Sequence, residues 1–262
     1  MLRALKTAAL GMKAQQLNVD VISNNLANVN TTGYKRSSIE FQDLLYETIQ
    51  SGGAGGTGTN QKPTEIQIGL GNKPISTFRA FSQGNIVETG NTLDVAINGS
   101  GFLQVQRPDG EILYTRDGAL KVNGDGMLVT NSGLRLYPDI TIPPEAESVS
   151  IHQNGTVHAY FAGESEAVEL GQLELVTFMN PAGLRALGGN LFELTDISGE
   201  PSFGIPGEEG VGMLQQGYLE KSNVDIAQEM IDLIVTQRAY EINTKAIRTA
   251  DELLAMTNQL KR

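Results

Sequence analysis

Apolar residues recur at helical spacing along the last forty residues of the chain, and no proline or glycine interrupts them between Asn223 and Leu260. One stripe has the alternating four- and three-residue spacing of a coiled coil. It contains Ile226, Met230, Leu233, Tyr240, Ile247 and Leu254, with the polar residues Gln237, Thr244 and Asp251 on the same line. A second stripe beside it contains Ile231, Val235, Ile242, Ala246, Leu253, Met256 and Leu260. We therefore predict one helix within residues 221–262, about 55 Å long, that needs neighbours to cover its apolar surface.

The N-terminal residues carry a second pattern of this kind. Leu5, Ala8, Met12, Val19, Ile22, Leu26 and Val29 have three- and four-residue spacing, interrupted only by Gln15. We predict a helix within residues 1–30, ending where Asn28, Asn30 and Gly33 favour non-helical backbone. Because both terminal helices have coiled-coil spacing, the simplest arrangement pairs them and loops the middle of the chain out as a separate body. In the alternative, each helix covers a different face of one globule.

The middle of the chain has a different pattern. Residues 31–67 are predicted to form a connector, with a short helix or extended arm near Phe41–Ile49 and a Gly-rich loop at 51–60. From 68 to 220, short stretches of alternating polarity are separated by turn signals such as Pro108-Asp109-Gly110 and Asn154-Gly155. This indicates an antiparallel β domain. The predicted fold is α+β, with a paired-helix coiled-coil domain formed by residues 1–30 and 221–262 and a central β domain at 68–220.

Charge and composition exclude several classes of protein. The net charge is −11: residues 37–222 carry −14, residues 1–36 carry +4 and residues 223–262 carry −1. This acidic middle argues against nucleic-acid binding, which requires a basic surface. There is no cysteine, which excludes disulfides and thiolate metal sites. No stretch approaches 18 uncharged apolar residues, so we expect no membrane span. Lys13 interrupts the weakly apolar N-terminal run, so we expect no cleavable signal peptide.

A search for catalytic or metal-binding chemistry finds no site. Asn123-Gly124-Asp125-Gly126 suggests a calcium loop, but its first and last ligand positions would be Lys121 and Ser132, so a hairpin turn explains it better. A two-residue turn at Asn154-Gly155 would place His152 and His158 on opposite faces of the hairpin, unable to share a metal. No G-x-S-x-G motif and no spaced carboxylate pair stands out. We predict that the chain is not an enzyme and has no cofactor and no metal.

Two long motifs at the ends of the chain carry a family resemblance. SNNLANVNTTGYKR at 23–36 and TQRAYEINTKAIRTADELL at 236–254 resemble the signatures of the bacterial flagellar axial proteins, which form the rod and the hook. Residues 71–105 and 108–120 are similar to the distal-rod members of that family. The motif residues are Asn24, Asn25, Asn28, Thr32, Gly33, Gln237, Arg238, Tyr240 and Asn243. The similarity covers nearly the whole chain, although the Gly/Thr stretch at 46–66 departs from the family pattern toward glycine.

The resemblance implies a structural function in the flagellar basal body. It implies a subunit of the distal rod that stacks into a rigid hollow helical tube and transmits motor torque through the periplasm to the hook. The implied partners are other copies, other rod proteins, the hook protein, the rings around the rod and the flagellar type III export apparatus. The assembly interface is expected to contain Leu5, Met12, Val19, Ile22, Leu26, Ile226, Met230, Leu233, Tyr240, Ile247 and Leu254.

The sequence also allows two other functions. One is a proximal rod or hook subunit of the same family. The other, from a different class, is a secreted enzyme acting on peptidoglycan or another carbohydrate, which would need a carboxylate pair in a cleft.

Overall fold

A computed structural model describes residues 2–50, 65–162, 167–208 and 210–260 of the chain. The chain divides into two compact units. The first contains residues 1–26, 37–78 and 226–262, and the second contains residues 27–36 and 79–225. Helices lie at both ends of the sequence and antiparallel strands lie between them, so the α+β prediction is confirmed.

The first unit contains both helices and two strand pairs. Its elements are α1 (Leu2–Ala27), β1 (Ser37–Asp43), β2 (Tyr46–Gln50), β3 (Ile66–Gly69), β4 (Asn72–Arg79, whose last residue belongs to the second unit) and α2 (Ile226–Leu260). Strand β1 pairs with β4, and β2 pairs antiparallel with β3. The stretch predicted as a short helix or extended arm is therefore extended. The predicted Gly-rich loop at 51–60 lies outside the described residues.

Helix α2 begins three residues later than the sequence pattern indicates. The Oγ of Ser222 accepts a hydrogen bond from the Val224 backbone N–H at 3.3 Å, before the helix begins. The Asn223 side chain accepts from the backbone N–H of Arg36 at 2.7 Å and donates to the carbonyl of Ala80 at 2.8 Å. Because these bonds hold Asn223 among extended segments, the helix starts at Ile226.

The second unit is built from short strands. They are β5 (Ile86–Glu88), β6 (Val95–Asn98), β7 (Leu103–Gln106), β8 (Ile112–Thr115), β9 (Leu120–Val122), β10 (Leu128–Thr130), β11 (Arg135–Tyr137), β12 (Ala146–Ile151), β13 (Thr156–Phe161), β14 (Val168–Gln172), β15 (Leu175–Thr177), β16 (Arg185–Gly188), β17 (Leu191–Glu193), β18 (Ser202–Gly204), β19 (Met213–Gln216) and β20 (Tyr218–Glu220). A 3-10 turn at Pro181–Gly183 precedes β16.

Sequence-distant strands pair repeatedly in this unit. One sheet has the order β16-β17-β8-β7-β11-β10-β9, another the order β12-β13-β14, and β15 pairs with β18. Two further pairs, β6 with β19 and β5 with β20, join the start of the unit to its end. The second unit therefore cannot be completed until its last strands are present.

The core of the second unit has an aliphatic and an aromatic part. The aliphatic part includes Val105, Leu113, Val157, Leu175 and Leu214, all fully buried. The aromatic part contains Phe102, Tyr114, Phe178 and Phe192. The Phe102 and Phe178 rings meet edge-to-face at 5.6 Å, an arrangement that aromatic quadrupoles favour.

Two turns predicted in this unit form as expected. The Pro108-Asp109-Gly110 turn links β7 to β8 and closes with a bond from Arg107 N to Glu111 O at 2.9 Å. The Asn123 side chain accepts from the backbone N–H groups of Asp125 and Met127, at 3.0 and 2.9 Å. This loop is the hairpin turn between β9 and β10, as predicted.

The prediction for the two histidines is wrong. The turn contains three residues rather than two, because His152 N donates to Thr156 O at 2.9 Å and Ile151 pairs with Val157. His158 consequently lies opposite Ser150, on the same face as His152. The two imidazole rings meet edge-to-face with centroids 4.9 Å apart. A change of one residue in turn length moved His158 to the other face of the hairpin.

Candidate assembly site

Helices α1 and α2 contact each other through polar side chains at seven-residue spacing. Asn25 Nδ2 donates to Glu229 Oε2 at 3.1 Å, and Asn18 Nδ2 donates to Thr236 Oγ1 at 3.0 Å. One heptad further along each helix, a Cβ on Gly11 would lie 3.0 Å from Asn243 Nδ2. The pairing is antiparallel, since the residue number falls by seven on α1 as it rises by seven on α2.

The buried line of α2 runs one residue earlier than the polar positions of the predicted stripe. Glu229, Thr236 and Ala250 are buried, whereas Gln237 and Asp251 are exposed. Half of the predicted apolar stripe follows the buried line, because Leu233, Ile247 and Leu254 are half-buried. The other half is exposed: Ile226, Met230 and Tyr240.

The predicted interface residues of α1 are more covered. Ile22 is buried, and Leu5, Met12, Val19 and Leu26 are half-buried. Met12 is in direct contact with α2, since the Thr244 hydroxyl lies 3.3 Å from its Sδ.

An apolar surface of five residues is exposed on the side of α2 that faces away from the buried line of Glu229, Thr236 and Ala250. At 3.6 residues per turn, this surface lies about 180–240° around the helix from Glu229. It contains Ile231, Val235, Ile242, Leu253 and Met256, all exposed. Val235 and Ile242 are 61% and 67% exposed, so the side of α2 that faces away from α1 is apolar, whereas its buried line includes the polar residues Glu229 and Thr236.

The N-terminal motif residues are divided between the two units. Asn25 is buried in the first unit, where its side-chain amide exchanges hydrogen bonds with the backbone N–H and carbonyl of Ser37 at 3.0 and 2.9 Å. Asn24 is exposed on the same helix. In the second unit, the backbone and side-chain oxygens of Asn28 both accept bonds from Thr31. The motif thus ends α1 and begins an ordered loop.

Thr32 and Gly33 fix this loop to the strand-end residues Arg116 and Asp117. The Thr32 hydroxyl donates to Asp117 Oδ1 at 2.9 Å. Gly33 has φ +67°, and a Cβ there would lie 2.8 Å from the backbone of both Arg116 and Asp117. Only glycine satisfies both the positive φ and the close approach.

The C-terminal motif residues are more exposed. Gln237 is exposed, Arg238 Nη1 donates to Glu241 Oε2 at 2.8 Å on the surface, and Tyr240 is 42% exposed. Asn243 is half-buried against Gly11. Asn243 is therefore the motif residue that lies against α1 at Gly11.

Three charged side chains that sequence reasoning missed form a buried cluster in the second unit. Lys35 Nζ donates to Glu220 Oε1 at 2.6 Å and to the carbonyl of Ser82 at 2.8 Å. Arg116 Nε lies 3.1 Å from Glu220 Oε2, and its Nη atoms donate to the carbonyls of Gly99 and Gly101. The cluster contains two cations and one carboxylate, all buried.

Burial and the excess positive charge shift the ionisation of this cluster. Burial lowers the pKa of Lys35, and the neighbouring Arg116 lowers it further, while Glu220 acts in the opposite direction. Burial also lowers the pKa of Arg116 from its ordinary value, against the attraction of Glu220. Desolvation is thus the largest effect on both cations.

The sequence contained only a weak signal for these residues. Lys35 stands inside the N-terminal motif and Glu220 at the end of the predicted β domain, but no periodicity connects them. Glu229 and Thr236 carried a clearer signal, because they repeat at seven residues one position before the predicted polar line.

Neither a cluster of metal-ligating side chains nor a membrane-spanning helix is found among the described residues. No group of three His, Cys, Asp or Glu side chains within them could hold a metal ion. No helix in this part of the chain combines the length and apolar character that a membrane span requires.

Comparisons with known proteins identify the family. Residues 5–35 match the family described as flagella basal body rod protein, 96–159 the flagellar hook protein FlgE/F/G D1 domain, and 215–260 the C-terminal region of flagellar basal body rod FlgEFG proteins. The flagellar basal-body rod protein FlgG of Borreliella burgdorferi is 50% identical over the full length of both chains. The chain belongs to the FlgG family of flagellar basal-body rod proteins.

Two further FlgG relatives agree with this assignment. The FlgG of Buchnera aphidicola from Schizaphis graminum is 46% identical over 99% of this chain and 100% of its own. The FlgG of Bacillus subtilis is 41% identical over the whole of both chains. Membership of the FlgG family makes the chain a structural subunit of the flagellar distal rod, located in the flagellar basal body. The two matched terminal regions contain all of α2 and the part of α1 from Leu5 onward, including the residues through which the helices contact each other.

Proposed function

We propose that the chain self-assembles into a rigid, hollow helical tube that transmits motor torque through the periplasm to the hook. The observation that carries this proposal is the uncovered apolar face of α2. Burying one isoleucine or valine side chain contributes about 1.5–3 kcal/mol, so a face with several of them favours association with another apolar surface. A polymer supplies that surface in every subunit.

The two ends of the chain are proposed to form the inner domain. In this proposal α1 and α2 pair as a coiled coil, supported by contacts at Asn25, Asn18 and Gly11 that repeat every seven residues. Residues 1–30 and 221–262 form this inner domain, residues 31–67 connect it, and residues 68–220 form the outer β domain. The half-buried members of the predicted interface set then contribute to the helix pair, and the exposed members contact other subunits.

The proposed partners follow from the family. They are further copies of this chain, other rod proteins, the hook protein and the rings around the rod. The flagellar type III apparatus is proposed to export the chain without a cleavable signal peptide. The acidic middle of the chain is consistent with the absence of nucleic-acid partners.

Electron microscopy of the purified full-length chain under assembly conditions tests the proposal. Straight tubes support a rod subunit. Curved, supercoiled tubes would instead assign it to the hook, and stable monomers with hydrolase activity would assign it to the enzyme class.

A further inference from the structure

The polar contacts between α1 and α2 have a regularity that apolar packing does not require. The contacting pairs are Asn25 with Glu229, Asn18 with Thr236, and Gly11 with Asn243. The two residue numbers of each pair add to the same value, so all three pairs belong to one antiparallel alignment. A shift by one heptad would preserve the coiled-coil phase of both helices, so the seven-residue apolar repeat discriminates poorly between the two alignments.

The first pair is tightly constrained. Asn25 and Glu229 are each 1% exposed. The Asn25 Oδ1 accepts from the Ser37 N–H, so its Nδ2 is directed to the Ser37 carbonyl and to Glu229. In an alignment shifted by seven residues, Asn25 would lie opposite residue 222 or residue 236 and would lose its bond to Glu229.

The second pair is constrained by the helix itself. Thr236 is 3% exposed, and its hydroxyl donates to the carbonyl of Asp232 at 2.7 Å. The same oxygen is left to accept from Asn18 Nδ2 at 3.0 Å. Leaving a buried donor or acceptor without a partner costs about 1–3 kcal/mol, which disfavours any alignment that separates these pairs.

We infer that Asn25, Glu229, Asn18 and Thr236 determine the register of the α1–α2 pair, and so fix where the uncovered apolar face of α2 is presented to the next copy. The inference rests on the proposed function, because the register matters for assembly only if that face binds another subunit. Shifting the pair by one heptad would move Val235 and Ile242 about 10.5 Å along α1. In this inference the polar contacts select one register of the α1–α2 pair, and the apolar face of α2 supplies the free energy of binding to the next copy.

Engineered cysteines read the register directly, because the chain has no native cysteine. Met12→Cys combined with Thr244→Cys reports the alignment of the structure, in which these residues touch. Met12→Cys with Gln237→Cys, or with Asp251→Cys, reports a shift of one heptad in either direction. A thiol-reactive crosslinker shorter than the shift of about 10 Å distinguishes them. Intramolecular products are recognised by their monomer mass.

The crosslinking is carried out on the full-length chain under assembly conditions in four backgrounds. The first is otherwise unchanged, the second carries Asn25→Leu with Glu229→Leu, and the third carries Gln16→Leu with Glu252→Leu. The third is a matched control, since it replaces one amide and one carboxylate at exposed positions of the same helices. A fourth, Glu229→Gln, keeps an oxygen that accepts the bond from Asn25. Urea unfolding of each variant shows whether the second unit, hereafter the β unit, is folded.

In the unchanged, control and Glu229→Gln backgrounds, we expect crosslinking at position 244 and none at 237 or 251. In the Asn25→Leu/Glu229→Leu background, we expect the ratio of shifted to native product to rise about tenfold to a hundredfold. Crosslinking only at 244 in that background would overturn the inference, as would equal crosslinking at all three positions in the unchanged chain. Native crosslinking without tubes would instead count against the proposed function and leave the register assignment standing.

Discussion

Lys35 donates a hydrogen bond to Glu220 across 185 residues of sequence, at 2.6 Å, and both side chains are only 1% exposed. Lys35 follows the turn after α1, and Glu220 ends the last strand before α2. The pair, together with Arg116, joins the first segment of the second unit, residues 27–36, to its last strand, β20. Removing the carboxylate would leave two buried cations without a counter-charge.

Glu220→Gln is therefore expected to destabilise the second unit by about 3–5 kcal/mol, the range found when one partner of a buried ion pair is removed. The free energy of unfolding, measured in urea by circular dichroism, checks this. Glu88→Gln is the matched control, because Glu88 is exposed on the strand that pairs with β20. We expect that change to stay within about 0.5 kcal/mol. Equal effects of the two substitutions would mean that the cluster does not stabilise the fold.

Lys35 should also make stability depend on pH in the alkaline range. Its pKa in the folded chain is lowered by burial and by Arg116, so between that pKa and 10.5 the unfolded chain binds more protons than the folded one. The contribution of Lys35 to the free energy of unfolding therefore rises with pH across this window. The cost of burying its charge is fully present below the window.

Urea unfolding of the unchanged chain and of Lys35→Met at pH 7 and pH 10 measures this dependence. The stability of the unchanged chain minus that of the variant should become more positive at pH 10. The same subtraction with Lys121→Met, an exposed lysine of the same unit, should not change. A difference that falls with rising pH would show that attraction to Glu220 outweighs burial.

Gly33→Ala tests the attachment of the loop to the residues after β8. The positive φ and the approach of 2.8 Å to the Arg116 and Asp117 backbone both oppose a Cβ, so a loss of about 2–4 kcal/mol in unfolding free energy is expected. Gly90→Ala separates the two effects, because Gly90 has φ +71° but no atom within 4 Å of an added Cβ. It should cost only about 1–2 kcal/mol, the penalty of a left-handed backbone for a residue with a Cβ. If both variants lost the same stability, close packing at Gly33 would have no role.

Ile242→Gln tests the apolar face of α2. Ile242 is exposed, so the substitution should leave the subunit folded and weaken association only. Losing the burial of one isoleucine, about 1.5–3 kcal/mol, raises the critical concentration for polymerisation about tenfold to a hundredfold. Sedimentation of the polymer over a concentration series measures it. Lys245→Gln, an exposed polar position one turn further along α2, should leave the critical concentration unchanged.

The local features of the fold could be predicted from the sequence, because periodicity reports local structure. The expected helix ends fall close to Leu2–Ala27, and the Pro108-Asp109-Gly110 turn joins β7 and β8. Features that depend on distant residues were missed. Asn223 delays α2 because it bonds to Arg36 and Ala80, and a third turn residue reversed the face of His158.

Only the local part of the candidate site could be predicted, because periodicity does not report contacts between residues that are distant in sequence. The apolar spacing of α2 identified a helix that needs partners, but it did not distinguish the line facing α1 from its neighbour, because Glu229 and Thr236 are polar and buried. Their burial depends on hydrogen bonds to Asn25 and Asn18, more than 200 residues away in sequence. No pattern along the chain contains that pairing.

Removal of residues 225–262 tests the central claim most directly. The shortened chain keeps the second unit through Val224, including Lys35, Arg116 and Glu220, but lacks α2. Electron microscopy and sedimentation of both chains at the same concentration, with urea unfolding of the β unit, give the result. Tubes from the full-length chain and none from the shortened chain, with the β unit folded in both, are predicted. Tubes from the shortened chain would show that the terminal helices are not the assembly elements.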